Sequence, residues 1–597
     1  MIMKKYSPLI LALFLLLPMI FTPSCANTKQ APSGGRKDTI PPYITMINPL
    51  PGATAFPLTG GRIVFDFDEY VTIKNPQNVF LSPPLRKMPK SVIKGRSLVV
   101  SFEDTLKANT TYTLNLTDAI GDNNEGNVFP GFTYAFSTGD SIDSMYITGS
   151  VLDCNTLEPM KGATVLLYDD LSDSAVFLNR PYAAVKTDDW GFFALPYIKD
   201  TLFRLYAIDD KSGNNVYDPD EDRIGFVDSL IRPVYKVNDS VPELKKYDMK
   251  DTVNCLKRVS GYDINVFREK PSKQFITGYG RTSERKGYVK FNAEYAWIDS
   301  LWIKGYKEGS VITKFNILQD SLEIWLNDRR PGPDTLNLVV NYRKTDSTGA
   351  MVPFMEELKL YEEGLGRNAY KRHRKPSEIK HDDTICKLSF TAKPETFERH
   401  GFELVFTEPI INASFDFIKA WSVNPRQQET LLEYSVEMDS TDILKFRIFP
   451  ETEYLPGWTY TVKIPHHCFR GLNGYYSDST EVKVSLPSDE KLSALALDVK
   501  DVDSHYIVDL LTESGKDPID TYIIDSDTTL SFRYLKSGNY RIRFTRDSNG
   551  NSIVDTGNVL EHRQCEPVRY MKFGEEKYVE IPESSEIEQS VNLSELF

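Results

Sequence analysis

The sequence predicts an all-β protein, a row of tandem antiparallel β-sandwich domains. Three observations predict it. Short runs alternate apolar and polar residues, as in Ile63-Val64-Phe65-Asp66-Phe67-Asp68, Tyr112-Thr113-Leu114-Asn115-Leu116 and Phe132-Thr133-Tyr134-Ala135-Phe136; a period of two is the pattern of strands with one buried face. Turn-rich clusters such as residues 121–127 separate these runs, and long helical periodicity is hard to find. The composition agrees, because 34 Gly and 35 Pro supply turns while 32 Tyr and 33 Phe supply strand-favouring aromatic cores. At 597 residues the chain is far too long for one core, and ordinary domain sizes divide it into about four to six.

The elements follow in order. Lys4 and Lys5 precede an apolar run over residues 9–21 that Pro18 interrupts. The run has the length of a signal-peptide core and falls short of the roughly 20 residues a membrane helix needs. Thr22-Pro23-Ser24-Cys25 follows directly. A small residue before a cysteine at this point resembles the bacterial lipoprotein signal, which implies a signal peptide at 1–24, a lipid on Cys25 and a lipidated tether over 25–40. Thr22 and Pro23 depart from that pattern, and ordinary cleavage with Cys25 as a spare thiol is the alternative. Ala26 is not the aspartate expected for inner-membrane retention, and no acidic run follows. The expected anchor is therefore the outer membrane, held through the N-terminal lipid and facing the periplasm.

Residues 41–140 read as a first sandwich and 145–235 as a second, entered through Gly149-Ser150-Val151-Leu152 and closed around Thr187-Asp188-Asp189-Trp190-Gly191-Phe192. Strand-like runs over 258–362 give a middle sandwich, and a basic linker, 363–387, follows it. The chain then repeats itself. Phe67-Asp68-Glu69 matches Phe406-Thr407-Glu408, Thr111-Tyr112-Thr113-Leu114 matches Thr459-Tyr460-Thr461-Val462, and the loop from Asp210 to Asp218 matches that from Asp547 to Asp555. The three displacements agree at about 340 residues, in order, which chance rarely produces. Residues 388–487 thus echo the first sandwich, 488–575 echo the second, and 576–597 form a C-terminal tail.

With Phe67-x-Glu69, Asn109-Thr110-Thr111-Tyr112, Ala119-Ile120-Gly121-Asp122 and Phe136-Ser137-Thr138-Gly139, residues 41–140 resemble the SbsA-type bacterial Ig-like domain. Through Gly149-x-Val151 and Pro159-x-x-Gly162-Ala163, the second module resembles a carboxypeptidase-regulatory or transthyretin-like β-sandwich. The layout, with Gly34-Gly35-x-Lys37-Asp38-x-x-Pro41-Pro42 after the cysteine, resembles a group of Bacteroidota envelope lipoproteins. The resemblance implies Ig-like and transthyretin-like sandwiches, an envelope location and no established catalytic activity.

The repeated loop is the main candidate site. Asp210, Ser212, Asn214, Asp218 and Glu221 fall at positions 1, 3, 5, 9 and 12 of a calcium-loop pattern, where alternating oxygen side chains converge as the loop curls round the ion. Asp547, Asn549, Asn551 and Asp555 repeat four of them, while Asn215 and Ser552 stand where the EF-type loop wants glycine. The alternative is an Asx-turn loop whose side chains bond their own backbone. His466-His467-Cys468 is the one histidine cluster, and neighbours on a strand would point to opposite faces, which disfavours a shared metal. Tryptophans on strands are expected in cores, and the run 371–375 is expected to be a solvated linker. Cys154, Cys255, Cys386, Cys468 and Cys565 contain no C-x-x-C pair and are expected to be buried small hydrophobes rather than a disulfide framework. Asp followed by Ser or Thr and an aliphatic residue, Met or Thr recurs about 17 times against roughly three expected from average composition, as at Asp104, Asp140, Asp299 and Asp439. This pattern resembles an O-glycosylation sequon of exported Bacteroidota proteins; it also marks strand starts.

Apolar residues at 41% and charged residues at 26% exclude a disordered chain and a multi-span membrane protein. A net charge of −14 makes nucleic acid a poor partner. No nucleophile elbow, phosphate loop or dinucleotide fingerprint is present. The expected function is that of a non-enzymatic envelope lipoprotein with no cofactor other than calcium, presenting β-surfaces to an envelope protein or glycan. The rival is a glycan-binding or cryptic hydrolase component of a polysaccharide or peptide degradation system.

Overall fold

The computed structural model describes residues 38–597 except 117, 235–260, 329–334, 362–384, 489, 492, 515–516 and 575. The signal peptide, Cys25, most of the tether, Cys255 and the basic run 371–375 lie outside the described residues. What is described is nearly all β, and its α-helices are single turns such as Ala175–Leu178 and Phe397–His400. Among the described residues no helix is long and apolar enough to cross a membrane.

The chain divides into two compact units. The first, described over 38–143, is one sandwich. Strands Ile44–Asn48, Arg62–Phe67, Ser97–Ser101 and Lys90–Lys94 form one sheet in that order, and Phe80–Ser82, Thr111–Asn115 and Thr133–Ser137 form another. Alternation does the sorting: in Arg62–Phe67 the residues Ile63, Phe65 and Phe67 are buried while Arg62 is exposed. They join Leu98, Val100, Leu114 and Tyr134 in one core. Phe136 lies at its centre, stacked on Tyr112 at 5.4 Å and on Phe102 at 5.9 Å between ring centroids, pairings worth about 0.5–1.5 kcal/mol each beyond their buried area.

The described residues of the second unit form four sandwiches. In the first of these, Phe192–Ile198, Met145–Asp153 and Tyr262–Val266 make one sheet, and Ala183–Lys186, Thr164–Tyr168, Arg204–Ile208 and Ile224–Phe226 make the other. Tyr262–Val266 runs parallel to Met145–Asp153. Gly149 is required there, because a Cβ would meet the Tyr262 carbonyl oxygen at 2.0 Å and the Phe193 ring at 2.7 Å. The middle sandwich sets Ile276–Arg281, Lys286–Phe291, Ser321–Leu326 and Val311–Phe315 in one sheet and Ile298–Ile303, Thr335–Thr345 and Met351–Tyr361 in the other.

The last two sandwiches copy the first two in sheet order. Leu388–Thr391, Phe402–Phe406, Lys445–Pro450 and Tyr434–Met438 repeat the four-stranded sheet of the first unit. Thr528–Phe532, Ala494–Lys500 and Glu586–Asn592 repeat the sheet built on Met145–Asp153, again with a parallel third strand. Two expected boundaries therefore move. Tyr262–Val266 belongs to the second sandwich and not to a middle domain starting at 258, and the tail 576–597 contributes Val579–Ile581 and Glu586–Asn592 to the last sandwich. In both copies the closing strand returns late in sequence to pair with the module's opening strand, and alternation alone says nothing about which sheet a strand joins.

Candidate functional site

The two repeated loops leave the strands Arg204–Ile208 and Gly538–Asp547 of equivalent sheets. In the first, the Asp210 carboxylate accepts the backbone N–H groups of Gly213, Asn214 and Asn215 at 2.7, 3.3 and 2.8 Å. Asn214 Oδ1 accepts from Val216 N–H at 2.7 Å, Asp218 accepts from Asp220 N–H at 3.1 Å, and the Ser212 hydroxyl donates to Asp210 at 3.3 Å. In the second, Asp547 accepts from Gly550, Asn551 and Ser552 at 2.7, 3.2 and 2.7 Å, and Asn551 Oδ1 accepts from Ile553 N–H at 2.8 Å. Asp555 accepts the side-chain amides of Asn549 and Asn551 at 2.6 and 2.8 Å. The bonds of the first aspartate to three N–H groups and of the fifth-position asparagine to the N–H two residues on are Asx-type bonds made alike in both copies; the Ser212, Asp218 and Asp555 bonds belong to one copy each. The sixth loop residue takes a left-handed backbone in each, with φ of 59° at Asn215 and 62° at Ser552, so the bend that favours glycine is present although glycine is not.

Each loop is held from below by a carboxylate outside the calcium pattern. Asp222 accepts from Lys211 N–H at 2.9 Å and Asp218 N–H at 3.0 Å; Glu566 accepts from Ser548 N–H at 2.7 Å and Asp555 N–H at 3.0 Å. Both are buried. Glu221, expected at position 12, is exposed, and its neighbour Asp222 turns inward instead. The two anchors stand at different distances from their loop starts but each lies two residues before the next strand, Ile224–Phe226 or Val568–Tyr570. Burial pushes the Glu566 carboxyl up, the two N–H bonds pull it back, and Asp547 and Asp555 push it up further. The carboxylate oxygens of Asp210 and Asp547 that a hard cation would use are thus turned to backbone donors and those of Asp555 to side-chain amides, and among the described residues no group of three or more His, Cys, Asp or Glu is placed to hold a metal ion.

The loops of the two copies meet at a strap over residues 267–270. Glu269 accepts the Tyr217 hydroxyl of the first loop at 2.7 Å and the Val559 N–H beyond the second at 2.6 Å. Arg268 donates to the Asp220 carbonyl at 2.9 Å and its own carbonyl accepts the Thr556 hydroxyl at 2.7 Å. Lys270 pairs with Glu294 at 2.8 Å and Asp555 at 3.7 Å, and Asn551 reaches the Tyr295 hydroxyl at 3.2 Å. Gly557 lies so close to Phe267 that a Cβ would stand 2.4 Å from the ring. Burial, and then the Glu269 carboxylate, hold the Tyr217 phenol well above its ordinary range.

The other candidates resolve individually. His466 and His467 sit in a turn after Thr459–Ile464, not on a strand, and their Nδ1 atoms face each other at 2.7 Å; the strand argument that separated them does not apply. Trp325 is buried, Trp302, Trp421 and Trp458 are half-buried, and Trp190 and Trp297 are exposed on different sandwiches. The middle sandwich carries an open depression of about 320 Å³ beside Ile276, Tyr342, Lys344 and Glu356.

A family model of the bacterial Ig-like domain matches residues 38–138, which are therefore an Ig-like domain. No curated protein matches the chain. Among solved structures, the N-terminal part of the bacterial S-layer protein SbsC is 16% identical, over 30% of this chain and 42% of that one, with a TM-score of 0.13. The Bacillus anthracis TIE protein is 9% identical over 95% of this chain and 76% of that one, with a TM-score of 0.13. The major pilin subunit BcpA of Bacillus cereus is 9% identical over 75% and 99%, with a TM-score of 0.15. At such TM-scores these likenesses carry no argument.

Proposed function

We propose that the protein is a non-enzymatic cell-envelope lipoprotein, anchored in the outer membrane by a lipid on Cys25, with a structural or binding role exercised through its tandem sandwiches towards an envelope protein or glycan. The second and last modules are read as transthyretin-like. One observation carries the structural role: the two repeated polar loops spend their side chains on their own backbones and, through Tyr217, on the strap at Glu269, which is how a rigid spacer uses them. The same economy continues along the second unit. Trp325 packs with Leu444 and Leu472 between the middle and fourth sandwiches, and Glu398 pairs with Arg533 at 3.1 Å between the fourth and last.

The anchor is tested by growing a lipoprotein-processing bacterium that makes the full chain on an alkyne fatty acid. Label is expected on the wild type in the outer-membrane fraction and not on Cys25→Ser; an unlabelled wild type rejects the anchor. Occupied O-glycans at the Asp-Ser/Thr sites would belong to the same envelope reading, and native mass spectrometry reads them directly. The rival glycan-binding reading draws on Trp190, 71% exposed in the turn that carries the chain from Ala183–Lys186 in one sheet to Phe192–Ile198 in the other; polysaccharide binding abolished by Trp190→Ala would favour it.

A further inference from the structure

Cys154 and Cys565 lie in different copies of the repeated module and meet beside the strap. Cys154 directly follows the strand Met145–Asp153, is buried, and donates its N–H to the Val266 carbonyl at 3.0 Å. Cys565 is half-buried next to the loop anchor Glu566. Bonds between the modules flank both residues. The Tyr570 hydroxyl donates to the Asn155 carbonyl at 3.1 Å. Gln564 donates to the Phe226 carbonyl at 3.0 Å and to Asp228 at 3.1 Å. Between these contacts the two free thiols stand close enough for each to act on the other. The other described cysteines are engaged elsewhere: Cys386 bonds Glu408, and Cys468 sits in the core of the fourth sandwich.

We propose that Cys154 and Cys565 close into an intramolecular disulfide that staples the second sandwich to the last in an oxidising compartment. Cys565 occupies the position of Glu221 in the other copy, each directly before its anchor, so the staple is a contact between copies and not a repeated feature. Cys154 is buried and Cys565 only half-buried, so Cys565 is the thiol an external disulfide reaches and the attacking thiolate. The oxidant is an external disulfide, either a small molecule or a thiol–disulfide oxidoreductase. The Cys565 thiolate breaks that S–S bond, forms a mixed disulfide and expels one thiolate; Cys154 then loses its proton, attacks the Cys565 sulfur and expels the second. Two S–H bonds are lost, one S–S bond is exchanged for another, and the two electrons and two protons leave on the external pair as two thiols.

The test uses the full-length chain, reduced and then treated with glutathione disulfide, quenched in acid, denatured and alkylated. Expected are the loss of two alkylations per chain and one linked peptide pair carrying Cys154 and Cys565. Dithiothreitol should abolish the pair, and neither Cys154→Ala nor Cys565→Ser should form it. Full alkylation of both residues, or either one found only on glutathione or on a different cysteine, overturns the proposal; the wild-type map does not depend on how the variants fold. A second arm blocks thiols at lysis and maps the protein from cells, and there the linked pair is also expected. The compartment rests on the envelope reading, so a pair that closes with glutathione but is reduced in cells refutes the compartment and leaves the pairing intact.

Discussion

Replacing Tyr112 by phenylalanine removes one oxygen and leaves the buried ring in place. That oxygen accepts the Lys107 N–H at 2.8 Å. The repeat makes the same bond, since the Tyr460 hydroxyl accepts the Leu455 N–H at 2.8 Å and also donates to the Glu453 carbonyl at 3.1 Å. Each phenol pins the chain five residues upstream, where it enters the strand, and this is what the shared Thr-Tyr-Thr motif encodes. The ring of Tyr112 keeps its stack on Phe136 in the variant, so the change isolates the hydrogen bond. A net hydrogen bond is worth about 0.5–1.5 kcal/mol, and in a sandwich of roughly 100 residues about 1 kcal/mol moves the thermal midpoint by about 4–8 °C. Calorimetry on the full chain should place this loss in the transition of the first unit alone. Tyr460→Phe, which forfeits two bonds, should cost roughly twice the free energy, about 2 kcal/mol, in the second unit. A Tyr112→Phe midpoint within about 1 °C of wild type, or a larger loss there than at Tyr460, would refute the reasoning.

Burial pushes the phenols of Tyr454 and Tyr506 up to about 12; the unfolded chain loses these protons first, so stability is full below about pH 10 and falls as pH rises towards about 12. A midpoint that is flat or rising over that window contradicts this. In the loops, Asp222→Ala strips the acceptor from two backbone N–H groups and should cost about 3 kcal/mol, whereas exposed Glu221 should tolerate alanine within about 0.5 kcal/mol. Asp210→Ala should cost about 1–3 kcal/mol equally in calcium and in chelator, because its three N–H bonds form without an ion; a loss confined to calcium would assign both loops to the metal.

Much of the architecture is legible in the sequence because burial in a sandwich follows a period of two. Ile63, Phe65 and Phe67 can be assigned to the core from their spacing, and the repeat is visible because Tyr112 and Tyr460 perform the same task. Local patterns do not carry partnership. Nothing within Tyr262–Val266 or Glu586–Asn592 says that each runs parallel to a strand far upstream, and nothing in a fixed loop spacing finds Asp222 or Glu566, whose register is set by the strand that follows. His466 and His467 escaped a strand-based argument because the turn begins directly after Pro465. Cys154 and Cys565 are invisible as a pair for the same reason as the strands: their meeting is a product of module packing.

The matched interiors of the two loops explain how one motif came to make different contacts. In each copy an aspartate at the first position and a buried carboxylate before the next strand satisfy the loop's own N–H groups, so its conformation does not depend on what lies outside it. The outer residues are then free to differ. The first loop offers the Tyr217 hydroxyl to Glu269, the second offers Asn551 to Tyr295, and the Val559 N–H just beyond the second loop gives Glu269 its donor from that side. A glutamate between two identical surfaces would face the same group twice. Here the duplication supplied two self-sufficient loops, and divergence at their rims made them complementary to a single strap, which holds the second and last sandwiches together across the length of chain between them.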